Sequence, residues 1–258
     1  MNVIKFFSLV DTQARLALKA EASRFYLSYL WWVLEPLLFV LVFYVVFSVI
    51  LTSRTENFLL FLICGKIPFL WFSKSVTAAS NSIVQNKGLI SQLDIPKALF
   101  PYGAVQEALY KQWPVFGVLL GVVVAYGLLP EVNWFWLLPL IIVQYLLILL
   151  CSLMGAVLVS YVADMRILIN MGMIFLLFCS GIFWDIRSIE NIELQQLMLV
   201  INPLLFLIDS YREVLINRSV YSLEHLFWLC GFVLIGLLLV HWLMSKISRH
   251  ISARVLAT

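Results

Sequence analysis

The sequence predicts an all-α integral membrane protein, on three observations. Apolar and aromatic residues make up 63% of the chain and charged residues only 12%, with a mean hydropathy of +1.01; soluble domains carry charge on roughly a quarter of their residues. The apolar residues gather in six stretches, near 28–50, 58–82, 104–129, 134–162, 167–184 and 226–245, each close to the roughly 20 residues that cross a hydrocarbon core of about 30 Å. Lys and Arg then alternate in number between the two sides. Lys5, Arg15, Lys19, Arg24, Lys87, Lys97, Arg166, Lys246, Arg249 and Arg254 fall on one side, and Arg54, Arg187, Arg212 and Arg218 on the other. This is the positive-inside bias of a chain with both termini in the cytoplasm. The expected fold is a single polytopic domain over residues 1–258 with six transmembrane helices. An N-terminal amphipathic interface helix and a periplasmic re-entrant helical hairpin between the fifth and sixth spans complete it.

Residues 1–24 hold no long apolar run followed by a small-residue cleavage site, so no removable signal is expected before the first span. Val3, Phe7, Val10, Ala14 and Leu18 form one helical stripe with Lys5, Thr12 and Lys19 opposite. That pattern suits a helix lying along the interface. The first span opens with Trp31 and Trp32, an interfacial aromatic pair, and Glu35-Pro36 interrupts it one turn deeper. Glu35, Phe39, Phe43 and Phe47 recur every four residues, which puts a carboxylate and a ladder of rings on one face. Rings at that spacing serve either helix packing or a path for a ligand, and an ionisable group in a span faces a cavity or a partner. Together with Phe175 and Phe178 from the fifth span, these residues are the candidate channel lining.

The second span carries Gly65-Lys66-Ile67-Pro68, with Lys66 read as either a snorkelling side chain or a pore-facing cation. The loop at 85–101 mixes Leu89, Ile90 and Leu93 with Lys87, Asp94 and Lys97 between Gly88 and Pro96. A short amphipathic helix offered to a cytoplasmic partner fits that composition, as does a solvated loop. Asp164 and Arg166 mark a tight turn between the fourth and fifth spans. In the 186–216 region Asn202 is a favoured N-cap and Pro203 suits the first helical position, so a helix should run from the Asn-Pro to about Leu215. At 1.5 Å per residue it is about 20 Å long, too short to cross. Asp209 and Arg212, three apart, are placed to pair on one face.

Several chemistries are excluded. The spaced GxxxxGK[ST] of a phosphate loop occurs nowhere in the sequence. Cys64, Cys151, Cys179 and Cys230 lie in apolar runs without CxxC spacing, as packing residues do. His225, His241 and His250 are isolated, and no HExxH or Ser/His/Asp grouping appears. With a net charge of +3 and no basic cluster interleaved with aromatics, nothing suggests a nucleic-acid surface.

Three motifs in order resemble one family, the permease subunits of ABC exporters that move bacterial surface polysaccharides such as O-antigen and capsule. They are Leu27-Ser28-Tyr29-Leu30-Trp31 followed by Leu34-Glu35-Pro36-Leu37; Gly65-Lys66-Ile67-Pro68-Phe69; and Asn202-Pro203-Leu204 with Tyr211-Arg212-Glu213. The resemblance runs over essentially the whole chain. Ser28 stands where the family usually has Gly, Ala163 where an Arg precedes the Asp, and Gly181 where Pro is usual. The resemblance implies a homodimer in the bacterial inner membrane, with a channel at the dimer interface lined by the first and fifth spans. It implies a non-catalytic transport subunit with no cofactor of its own; ATP and Mg belong to two copies of a separate cytoplasmic ATPase docked on Lys87, Gly88, Leu89, Asp94 and Lys97. The N-terminal helix would gate the cytoplasmic side, and the hairpin with Asn202, Pro203, Tyr211 and Arg212 the periplasmic side. The substrate would be a lipid-linked polysaccharide. An ABC exporter of lipids or drugs is the alternative within the architecture. An integral-membrane enzyme of polysaccharide assembly is the alternative from another class, though no cluster of His, Asp or Ser at one face supports it.

Overall fold

The computed structural model describes residues 3–23, 28–46, 58–92 and 95–257, and every described element is helical. In order these are α1 (Val3–Ala22), α2 (Ser28–Tyr44), α3 (Phe58–Gln85), α4 (Lys87–Gln92), α5 (Leu99–Ala125), α6 (Leu137–Tyr161), α7 (Met165–Cys179), α8 (Ile192–Ile201), α9 (Pro203–Leu215) and α10 (Leu223–Ala257). Short 3-10 turns at Val132–Trp136 and Ile186–Ser188 lead into α6 and α8.

Helix α3 is the hub. It packs on α5 and α6, and also on α2, α7 and α9. Its apolar surface has no lipid-facing stripe over much of its length, because Leu62, Cys64, Ile67, Trp71, Val76, Ala79 and Ile83 are all buried. Helix α10 leans on α6 and α4 and leaves Phe227, Trp228, Phe232, Ile235, Leu238 and Trp242 exposed. A helix apolar all round but buried on one side has lipid as its other neighbour.

Among the described residues, four helical stretches are long and apolar enough to cross a membrane: Phe58–Gln92, Leu99–Ala125, Val132–Tyr161 and Leu223–Ser248. The pair α8 and α9, bent by 109° at Asn202, makes a fifth if it is taken as one span. The expected fifth span is shorter than the sequence suggests, whereas the expected first span is described only in part. Helix α2 has 17 residues, and the residues that would extend it, 47–57, lie outside those described. Helix α7 has 15 residues, about 22 Å at 1.5 Å per residue. It stops because Ser180 caps it and Gly181 turns the chain with φ +67°.

Local signals set the other boundaries. Asn202 accepts hydrogen bonds from the Leu204 and Leu205 amides, both at 3.1 Å, and Pro203 occupies the first turn. Helix α9 therefore begins at the capped Asn-Pro and ends at Leu215, where the sequence expects it. The 85–101 segment contains the short helix α4, and α6 passes to α7 through the tight 162–164 turn. Cys64 is buried and Cys151, Cys179 and Cys230 are half-buried, all as free thiols in the packing.

Candidate functional site

Two assemblies organise the residues that the sequence singles out. The first is built around Arg212. This side chain is 4% exposed, and its guanidinium donates from Nε to the Phe61 carbonyl at 3.2 Å, from Nη1 to Gly181 at 2.6 Å and from Nη2 to Ile182 at 3.0 Å. It also lies 3.4 Å from the centre of the Phe61 ring. Arginine suits this place because its planar fork carries five N–H donors. The Gly181 and Ile182 carbonyls follow the C-terminus of α7, the negative end of its helix dipole. Asn202 reinforces the joint, its Nδ2 donating to the Cys179 carbonyl at 3.2 Å and to Ser180 Oγ at 3.1 Å.

Two glycines make room. A Cβ on Gly65 would stand 2.6 Å from Arg212 Nη2, so only glycine lets α9 approach α3 this closely. Gly181 holds a left-handed conformation at φ +67°, which proline with φ fixed near −65° cannot adopt. Its departure from the family pattern is thus a different way of ending α7. Beside Arg212, Tyr211 donates to Gln144 Oε1 at 2.7 Å, and Gln144 Nε2 donates to the Pro68 carbonyl at 2.8 Å. The motif residues of the second span and of the hairpin, far apart in sequence, therefore meet in one lock.

Arg212 does not pair with Asp209, contrary to the sequence expectation. The inward face of α9 carries Ile208, Tyr211, Arg212 and Leu215, all buried, whereas Asp209 and Glu213 turn to the other side and take Arg187 as their partner, Asp209 at 3.1 Å. Arg187 also reaches Asp185 at 3.3 Å. The sequence placed Arg212 with the exposed charges because spacing alone does not say which way α9 is rotated. Lys66 is likewise neither snorkelling nor pore-facing: it is 3% exposed, with its ammonium 5.5 Å from the Phe69 ring centre.

The second assembly ties α1 to the membrane helices. Tyr110 donates to Asp11, and Lys111 bridges Glu21 and Glu107, the latter at 2.7 Å. The Trp32 indole donates to Glu21 Oε1 at 3.1 Å. Glu35 meets Lys74 on α3 at 2.6 Å, so the carboxylate in the first span has a partner within its own subunit. Partial burial alone would raise the Glu21 carboxyl, but the Lys111 hydrogen bond and charge outweigh it and hold the group below its ordinary 4.5. Along α1, Val10 and Ala14 of the predicted stripe are buried, while Phe7 is largely exposed and its ring, like that of Phe6, meets Tyr102 edge-on.

The remaining candidates are separate from both assemblies. Trp31 is exposed, and Phe175 and Phe178 project from α7, none of whose residues is buried. Phe47 and Asp94 lie outside the described residues, as do the side chains of Phe39 and Phe43. On α4, Lys87, Gly88 and Leu89 are exposed and Ile90 is buried. Lys97 departs from the expectation of an outward cation: it is 4% exposed, tucked in with Ala98, Leu99 and Phe100 where α5 begins. Sequence reading missed Gln144, although a lone glutamine in an apolar 25-residue helix is itself the signal that would have found it. It also passed over Lys74, Glu107 and Lys111, charges inside the predicted spans.

The profile of the ABC-2 type transporter family matches residues 12–216, from the middle of α1 to the end of α9, which takes in the whole lock around Arg212. The chain belongs to that family. Among its relatives, two proteins of Klebsiella pneumoniae named O-antigen export system permease protein RfbA align with this ABC-2 chain over most of its length. One is 28% identical over 238 residues, covering 90% of each chain; the other is 26% identical over 228 residues, covering 88% of this chain and 86% of that protein. A protein of the same name from Myxococcus xanthus is 25% identical over 226 residues, or 87% of this chain and 86% of its own. An ABC-2 transporter is a membrane permease, and the apolar helices of this chain give it the several candidate spans that such a permease needs.

Proposed function

We propose that this chain is the permease subunit of a bacterial exporter that carries lipid-linked O-antigen, or a capsular polysaccharide, across the inner membrane to the periplasm. The observation that carries the proposal is the near end-to-end alignment with three O-antigen export permeases. In this reading the chain crosses six times, α2 and α7 being the first and fifth spans, with both termini in the cytoplasm. Helix α1 lies along the inner interface, and α8 with α9 forms a re-entrant hairpin on the periplasmic side. Two copies enclose the channel between their α2 and α7 faces. The exposed apolar side of α7, with Phe175 and Phe178, supports that placement, because rings offer a sliding glycan weak contacts with its C–H faces. The exposed Lys87, Gly88 and Leu89 on α4, together with Asp94, form the seat of two copies of a cytoplasmic ATPase that binds ATP and Mg. Hydrolysis takes place there, and this chain contributes the path.

Deletion of the gene tests the reading. Surface polysaccharide should disappear while its lipid-linked precursor accumulates inside the inner membrane, measured by mass spectrometry of extracted lipids. Normal surface polysaccharide in the deletion strain would overturn it.

A further inference from the structure

Helices α5 and α6 leave a crevice of about 290 Å³ between the last turns of the one and the first turns of the other. Both belong to candidate spans, Leu99–Ala125 and Val132–Tyr161. The rise of 1.5 Å per residue puts Gly117 about 12 Å back from the end of α5 at Ala125, at hydrocarbon depth. The mouth of the crevice is open there: Trp113 is 54% exposed, Leu138 on the facing helix is 53% exposed, and Gly117 between them is exposed as well. A Cβ on Gly117 would meet no neighbour within 4 Å. Phe116 and Leu137, both buried, form the floor.

The chemistry of the wall selects the occupant. Among the described residues no charged side chain lines it, and the Tyr211 hydroxyl behind the floor is already given to Gln144. Water is a poor filling, since it needs two to four polar partners, and an apolar cavity of roughly 150 Å³ stays dry yet binds benzene. Left empty, the wall would forfeit the dispersion contacts of a packed surface. The occupant must therefore be apolar, uncharged and slender enough to enter between two helices. At hydrocarbon depth, between two spans, a lipid acyl chain meets all three demands. On an open helix face such a chain touches one side only. Here α5, α6 and the 3-10 turn at Trp134 all border it, so more of its surface is taken up by protein.

We propose that this crevice holds one acyl chain of a membrane phospholipid in each subunit, retained while the lipid around the other helix faces exchanges. Phe116 connects the site to the lock, because its ring stacks on that of Tyr211 with the centroids 6.1 Å apart. The proposal is independent of the export reading above. The test uses the full chain in nanodiscs of dioleoyl phosphatidylethanolamine and dioleoyl phosphatidylglycerol, transferred to a mild detergent for native mass spectrometry. The wild type should retain one phospholipid per subunit, and added lipid should saturate at that number. Gly117→Leu should bind it about tenfold more weakly or worse, because the new side chain takes the place of several methylenes. Leu138→Trp, which narrows the mouth from α6, should act in the same direction. Glycine is a poor helix former and leucine meets open space at this position, so Gly117→Leu should be at least as stable as the wild type in thermal unfolding. Misfolding would then not explain a loss of lipid. Gly231→Leu on α10, where a Cβ likewise meets no neighbour within 4 Å, should keep the lipid. Retention of no phospholipid by the wild type, equal retention by the wild type and both crevice variants, or loss of the lipid from Gly231→Leu as well would each overturn the site. A disulfide between two copies carrying Leu138→Cys would also overturn it, by giving the crevice to a second subunit.

Discussion

Tyr211 donates its hydroxyl to Gln144 at 2.7 Å in the middle of the packed helices, and Gln144 passes the contact on to the Pro68 carbonyl. All three residues come from different helices, α9, α6 and α3. In an apolar interior an amide left without its partners is costly. Tyr211→Phe should thus destabilise the chain by roughly 1–3 kcal/mol, because it orphans the Gln144 oxygen. Gln144→Leu should cost a similar amount, because it orphans the tyrosine hydroxyl. The double variant should cost clearly less than the sum, since neither residue then leaves the other unpaired and only the Pro68 carbonyl loses its Gln144 donor. Thermal unfolding of the three purified proteins checks this, and strict additivity would show that the two groups act independently.

The contact between Gly65 and Arg212 makes a second, sharper demand. Gly65→Ala puts a methyl group where Nη2 now lies, and the Gly181 and Ile182 carbonyls lose their donors if the guanidinium is displaced. Orphaned acceptors cost roughly 1–3 kcal/mol each, so a loss of about 2–5 kcal/mol is expected. Arg212→Lys should not restore the lock, because a point ammonium cannot span three carbonyls. Both variants should free α9 from α3. Disulfide trapping between cysteines placed at Phe61 and Ile208 reports this, and unchanged trapping would contradict the lock.

Local rules made one part of this architecture legible in the sequence and left another part hidden. The start of α9 was readable because capping is settled within four residues, by Asn202 and Pro203 alone. The fate of Arg212 was not. Its partners are 151, 31 and 30 residues away, and periodicity gives the spacing of a helix face without saying which face turns inward. The same blindness put Lys97 on the surface. Composition could find the apolar helices because a span of about 20 continuous apolar residues satisfies its backbone in lipid only as a helix, yet it overstated α7, where Gly181 ends the helix before the apolar residues Ile182 and Phe183.

The α1 assembly should respond to pH. Glu21 titrates below 4.5 in the folded chain because Lys111 holds it ionised. A depressed carboxylate contributes its stabilisation above the unfolded value, and this is lost as pH falls through the lower, folded one. The attachment of α1 should therefore be fully present at neutral pH and loosen only below about pH 4.5. Cysteines at Ala14 on α1 and at a facing position on α5 should crosslink less in acid, and Lys111→Met should show the low yield already at pH 7. A crosslinking yield independent of pH in the wild type would remove Glu21 from the attachment.

Phe175 and Phe178 are exposed on a helix that buries none of its residues. If they line the path, replacing both by Leu should lower surface polysaccharide several-fold without affecting insertion or thermal stability, because exposed apolar substitutions change stability by less than about 0.5 kcal/mol. Unaltered export by the double variant would assign the rings to lipid.

Charge reversal at Lys87 and at Lys97 should have opposite kinds of effect, although the two lysines sit only ten positions apart. Lys87 is exposed on α4, so Lys87→Glu should leave the fold intact and act on whatever docks there. The expected result is normal insertion and thermal stability with lost stimulation of the ATPase, and like-charge contacts at an interface cost enough to weaken co-purification. Lys97 is buried against the first turn of α5. Introducing a carboxylate there should lower stability by several kcal/mol, since a buried charge without a matching partner is among the most damaging changes. Lys97→Met, which keeps the length and removes the charge, should be far better tolerated. Unfolding curves paired with ATPase assays in reconstituted membranes separate the cases. If Lys97→Glu were as stable as wild type yet uncoupled, Lys97 would belong to the docking surface after all; if Lys87→Glu stayed fully coupled, α4 would lose its role as the seat of the ATPase.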